Sequence, residues 1–164
     1  MAERHYIKFD GVDGESTTKD HKGEIEVLSW SWGLSAKQPS GKGGGAKKGK
    51  VTAHEFTFTH LYDKASPALA KMAAAGRHVK QAVLSAGRGA TGQKGNGQKD
   101  YLIVTMKEVF ISSVEQVADE TDGITEMVTL EPSQIAFEYR PTSSAGSAGP
   151  PVTFGWDIPT GTVT

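Results

Sequence analysis

The chain has 164 residues, enough for one domain with a sizeable core but short for two. It contains no cysteine and no apolar run near the roughly 18 residues of a membrane helix, so disulfides, thiolate chemistry and a helical membrane span are excluded. Net charge is −1, but it is unevenly distributed: residues 1–26 sum to −3, residues 27–99 to +10 and residues 100–164 to −8. Such a chain can present a basic and an acidic surface, suited to a partner of either sign or to copies of itself joined head to tail; equally, the segments can neutralise each other within one fold.

The N-terminus, MAERHYIKFDG, carries Glu3, Arg4, Lys8 and Asp10, which leaves no apolar core for a general secretory signal. In chain order, most segments that follow read as strands. HYIKF (5–9) sets Tyr6 and Lys8 against Ile7 and Phe9. In EIEVLSWSWGLS (24–35) the apolar residues are odd at Ile25 and Val27, then even at Leu28, Trp30, Trp32 and Leu34. That one-residue slip predicts a β-bulge near Val27–Leu28, bending one strand as a small barrel requires, rather than two separate strands. VTAHEFTFTH (51–60) puts His54, Phe56, Phe58 and His60 on one face, and HVKQAVLSA (78–86) is a further strand. DYLIVTMKEVFISSV (100–114) is apolar on both sides over 101–104, which predicts cover by the core on one face and by a helix or neighbouring subunit on the other. MVTL (127–130), QIAFEY (134–139) and VTFGWDI (152–158) complete the set, with Pro132 expected to interrupt the ladder between the first two.

One segment reads as a helix, ASPALAKMAAAG (65–76): Ser66 as N-cap, Pro67 at the first helical position, Gly76 as terminator, and Leu69, Met72 and Ala73 as a narrow apolar stripe. So short a helix needs tertiary support and is expected to close an end or side of the barrel. Segments 38–50, 86–99 and 142–150 are too rich in Gly and Ser for strands and read as long loops inserted into a single domain, 1–164.

The reactive-looking motifs each fail on a specific point. GGAKKGKV (44–51) has Gly44, Gly49 and Lys50 at phosphate-loop spacing, but Val51 stands where a magnesium-holding hydroxyl is needed and a strand follows rather than a helix. GRGATG (87–92) leads only into more loop. His54 and Glu55 begin like a zinc-protease motif, but position 58 is Phe, and His54 and His60 lie about 20 Å apart along an extended strand. Asp10, Asp13 and Glu15 depart from the calcium-loop pattern because Gly14 comes too early. With no G-x-S-x-G signature either, no catalytic constellation, cofactor site or metal site is expected. Lys42, Lys47, Lys48, Lys50, Arg88, Lys94 and Lys99 could contact phosphates, so a nucleic-acid-binding barrel is the alternative class, although neither basic loop has an aromatic residue on which bases could stack. A small-ligand barrel is a weaker third reading, since two tryptophans leave little cavity.

The run GESTTKDHKGEIEVLSWSWG (14–33) closely resembles the N-terminal motif of the Hcp family, the inner-tube proteins of type VI secretion systems. The similarity continues through FTFTHLYDKASPALAKMAAAGRHVKQAVL (56–84), YLIVTMKEVFISSV (101–114), TEMVTLEPSQIAFEY (125–139) and FGWDI (154–158), covering almost the whole chain in the family's order. The resemblance implies an antiparallel, mainly β barrel with one short helix, assembled as six-membered rings that stack into a tube inside a contractile sheath. It also implies effector cargo held in the ring, sheath and spike components as partners, assembly in the cytoplasm, and secretion without a signal peptide. No enzymatic activity, nucleic acid or membrane insertion is expected, nor, from a sequence read to Thr164, the fused toxin domain of some members.

Within that frame Leu28, Trp30, Trp32, Phe56 and Phe58 are expected in the barrel core. Ser29 and Ser31, on the opposite face, are expected to line the ring's bore and touch cargo. The basic positions Lys42, Lys47, Lys48, Lys50, Arg88 and Lys94 are expected to meet Asp119, Glu120 and Asp122 on a neighbouring copy, within a ring or between rings.

Overall fold

A computed structural model describes residues 3–38, 49–88, 99–141 and 149–164. Eleven strands and one helix are defined among them: β1 (Glu3–Phe9), β2 (Ile25–Val27), β3 (Ser29–Ser31), β4 (Leu34–Ala36), β5 (Val51–Ala53), β6 (Phe56–Leu61), α1 (Ala65–Ala74), β7 (His78–Arg88), β8 (Lys99–Asp119), β9 (Gly123–Tyr139), β10 (Val152–Asp157) and β11 (Thr162–Val163). All pairings are antiparallel. The ladder runs β9–β8–β7–β1–β2, passes along the chain from β2 to β3, and returns through β6 to β9, which gives the barrel. β10 and β11 extend the sheet from the far end of β9, while β4 and β5 form a separate two-stranded ribbon.

Alternation fills the interior: Ile7, Phe9, Phe56, Phe58, Leu84, Val104, Met106, Val128 and Leu130 are all fully buried. The phase slip at 27–28 is real, but it is not a bulge. Val27 still pairs with β1, Leu28 forms a bend whose N–H donates to Thr59 O at 2.8 Å, and Ser29 already pairs with β6. The run therefore forms two strands that change partner at Leu28, and the side chain at that bend, 56% exposed, is not a core residue. Trp30 and Trp32 are partly buried against the core.

Four further expectations change. Residues 51–60 break at 54–55, so His54 is exposed at the ribbon's base, with its N–H donating to Gly33 O. β9 runs unbroken through Pro132, which pairs with Val109; the register shift falls instead between Ile111 and Ser113. β7 and β8 reach Arg88 and Lys99, so strand continues into both ends of the Gly-rich segment 86–99. At 101–103 the side chains are only partly buried, so cover there is incomplete on the single chain.

Helix α1 starts at Ala65, and its N-cap Lys64 has no side-chain bond of its own. The start is held by a reciprocal pair instead: Ala65 N–H donates to Asp63 Oδ1 at 2.9 Å, and Asp63 N–H donates to Ser66 Oγ at 3.1 Å. Pro67 is tolerated because the first turn has no intrahelical use for its missing N–H. At the other end Gly76, at φ 65°, closes a Schellman motif, with Arg77 N–H on Met72 O and Gly76 N–H on Ala73 O. The helix lies against β8 with Ala65 and Leu69 buried in the core.

Candidate functional site

The face of β3, β6, β9 and β8 that turns away from the core is paved with small hydroxyl side chains. Register places Ser31, Thr57, Thr129 and Ser113 in one row across the four strands, and Ser29, Thr59, Met127 and Glu115 in the next. Ser29 and Ser31 are exposed, and Thr57 and Thr59 are half-buried beside them. The hydroxyls bond to one another: Ser29 Oγ and Thr59 Oγ1 are 2.5 Å apart, and Thr57 Oγ1 and Thr129 Oγ1 are 3.5 Å apart. Cross-strand hydroxyl pairs of this kind hold a low, uncharged relief. Bulk returns one row nearer the β8–β9 turn, where Leu61, Thr125 and Val117 share a row and Leu61 and Val117 are more than half exposed. Glu115 is the one ionisable side chain in these three rows. The surface can make adaptable hydrogen bonds to a polypeptide; it holds no nucleophile–base pair.

Behind it the aromatic residues fix the wall. Trp30 stacks on Phe56, with centroids 5.5 Å apart and an interplanar angle of 9°, and its Nε1–H donates to His5 Nδ1 at 2.9 Å. Trp32 packs on Phe137 at 5.1 Å and edge-on to Trp156 at 6.5 Å. Its buried Nε1 finds no partner among the described residues.

Arg88 and the acidic positions Asp119, Glu120 and Asp122 lie at opposite ends of β8. Arg88 and Lys99 pair across β7 and β8 at one end; Arg88 is exposed, 3.6 Å from Glu3 Oε1, with its guanidinium 5.3 Å from the centre of the Tyr101 ring. Asp119, Glu120 and Asp122 are exposed at the β8–β9 turn, the other end. There the backbone N–H groups of Thr121 and Asp122 hold the Asp119 carboxyl below its usual range. Lys50 is exposed beside the ribbon, and Lys42, Lys47, Lys48 and Lys94 lie outside the described residues. Among the described residues no group of three or more His, Asp or Glu could hold a metal ion, and no helix is long and apolar enough to cross a membrane.

One polar cluster escaped the sequence reading. His60, fully buried, places Nε2 2.8 Å from Glu126 Oε1, and Gln116 Nε2 donates to Glu126 Oε2 at 2.7 Å. Among the described residues His60 Nδ1 has no hydrogen-bond partner, and it lies 3.9 Å from Asp63 Oδ1, the group that holds the start of α1. Burial pushes the Asp63 carboxyl up, against the opposing pull of the Ala65 N–H and of His60. His60 and Glu126 are 66 residues apart, and only the register of β6 on β9 brings them together. A second polar cluster lies at His21, which bridges Glu24 (2.8 Å) and Asp100 (3.1 Å) and stacks on Tyr6, pinning the 14–24 loop over the outside of β1.

The described residues form a barrel-like, antiparallel β domain with one short helix and an outward face rich in hydroxyl side chains. The chain belongs to the Hcp family: the family model described as type VI secretion system effector, Hcp, matches residues 6–139. It is 40% identical over 160 residues to the protein hcp1 of Pseudomonas aeruginosa, covering 96% of each chain. Its fold is similar to the crystal structure of Hcp1 from Salmonella typhimurium, at 31% identity and a TM-score of 0.76, covering 99% of this chain and 100% of that one. A further structure, of a type six secretion system protein, gives a TM-score of 0.85 at 29% identity, again covering 99% and 100%.

Proposed function

We propose that this chain is a non-enzymatic structural subunit of the type VI inner tube. Six copies form a ring, rings stack, and the column is expelled from the cytoplasm with effector proteins carried in its bore. The reading rests on membership of the Hcp family together with one observation, the hydroxyl face of β3, β6, β9 and β8. Ser29 and Ser31 line the bore, where short side chains leave room for cargo and hydroxyls bond to it without demanding one sequence. Arg88 and Lys99, at one end of β8, and the acidic β8–β9 turn at the other supply contacts between copies, and the sheath and spike of the apparatus are the remaining partners. The test is the native mass of the purified chain with negative-stain images. A particle of six 17.4 kDa chains with a central hole is expected. A lone 17.4 kDa molecule at micromolar concentration overturns the reading.

A further inference from the structure

We propose that the β4–β5 ribbon of one copy seats its apolar face in a groove on the next, formed by Leu28, Leu61 and Tyr62 and rimmed by Glu15, Glu26 and Asp63. The inference rests on the ring reading above and names the surface that receives the ribbon.

The donor is visible in the ribbon's own register. Leu34 pairs with Ala53, Ser35 with Thr52 and Ala36 with Val51. Alternation therefore puts Leu34, Ala36, Val51 and Ala53 on one face, and Ser35 and Thr52 on the other. The backbone pairing continues outward, with Lys37 N–H on Lys50 O at 2.8 Å, so both lysines fall on the polar side. The apolar face has little cover in its own chain: Leu34 is 44% and Val51 52% exposed. A two-stranded ribbon of this size is marginal by itself in water, so its apolar face calls for a second surface.

The acceptor is a cavity of about 570 Å3 on the outside of the barrel. Its apolar lining is Leu28 at the bend between β2 and β3, with Leu61 and Tyr62 at the end of β6. All three are large apolar side chains left in water, at 56%, 53% and 44% exposure. The rim carries three carboxylates, Glu15, Glu26 and Asp63, against a single base, Arg4. Charge complementarity favours this occupant: Leu34 and Val51 face the groove, and Lys37 and Lys50 extend from the ribbon's other face towards a rim of opposite sign. The lysine stems are long enough to lie over the ribbon's edge and bring their ammonium groups to the rim. Donor and acceptor are different patches of one chain, so the contact is head to tail and closes into a ring when its rotation allows.

The chain has no cysteine, so engineered pairs report without background. A V51C chain is mixed in turn with L28C, L61C, Y62C and, as a control on the exposed edge strand β11, V163C, then mildly oxidised. A covalent dimer with one or more of the three groove cysteines, and little with the control, is expected. Glu26→Lys should lower the yield of ring by native mass, and combination with Lys50→Glu should restore it. Rings that form while every groove cysteine stays free, or cross-link no faster than the control, overturn the groove contact and leave the ring reading standing. Absence of both rings and cross-links in the parent chain overturns the two together.

Discussion

Replacing Trp30 by alanine tests how the wall behind the hydroxyl face is held. The indole stacks on Phe56 and donates Nε1–H to His5, so the change removes buried ring area, an aromatic pair and a hydrogen bond at once. Truncating a buried aromatic to alanine costs about 3–5 kcal/mol. Trp30 is partly rather than fully buried, which points to the lower end, about 3 kcal/mol. For a chain of this length that is a loss of roughly 6–12 °C in Tm. Trp30→Phe keeps a ring against Phe56 and surrenders mainly the bond to His5, for about 1 kcal/mol. Both variants should be followed by urea unfolding at one fixed chain concentration, because assembly makes stability concentration-dependent. The reasoning fails if Trp30→Ala costs under about 1 kcal/mol, or if Trp30→Phe is as damaging as alanine, since the stack would then carry none of the stability.

Ser31→Gln should leave ring formation intact and reduce retention of cargo in pull-downs; equal retention would remove the support for Ser31 as a bore residue. Glu126→Ala leaves the buried His60 without its partner and should cost about 3 kcal/mol or more, read as a fall in the urea midpoint, with Glu126→Gln milder because it keeps an acceptor. Asp63 binds its proton more tightly folded than unfolded, so its contribution is fully present below its ordinary value of 3.8 and is lost as pH rises from there through the raised folded value. Asp63→Asn keeps an oxygen for the Ala65 N–H and lacks that loss, so its stability relative to the parent should improve as pH rises from 3 to 7; a flat difference would refute the assignment.

Much of this architecture could be read from period-2 alternation, which located β1, β7 and β10, gave the inward face of β6 while merging that strand with β5, and put the phase change at the right residue. Alternation tells which side a residue is on, not which strand lies beside it, and so the change at Leu28 read as a bulge when it is a change of partner. The same limit explains Leu28 itself. Its apolar character implied an interior place, but a bend between two strands turns it outward, and hydrophobicity cannot say whether the cover comes from its own chain. At the helix, Ser66 and Pro67 were sound N-terminal signals displaced in register, because the reciprocal Asp63–Ser66 pair also satisfies the rule that a small polar residue holds the first turn. The serines of β3 were legible as an outward face; the threonines of β6 and β9 that complete it needed the register of three strands.

β8 continues for 21 residues, a contour of roughly 65 Å, where an ordinary strand has five or six. β9 accompanies it over most of that length, from Asp119 opposite Gly123 to Leu102 opposite Tyr139. A pull or push delivered between the two ends of this hairpin meets its cross-links sideways and nearly all together, so the hairpin resists as a beam in shear instead of opening like a zipper. The hairpin has a stiff direction, and that direction joins the end that carries Arg88 and Lys99 to the acidic tip at Asp119, Glu120 and Asp122.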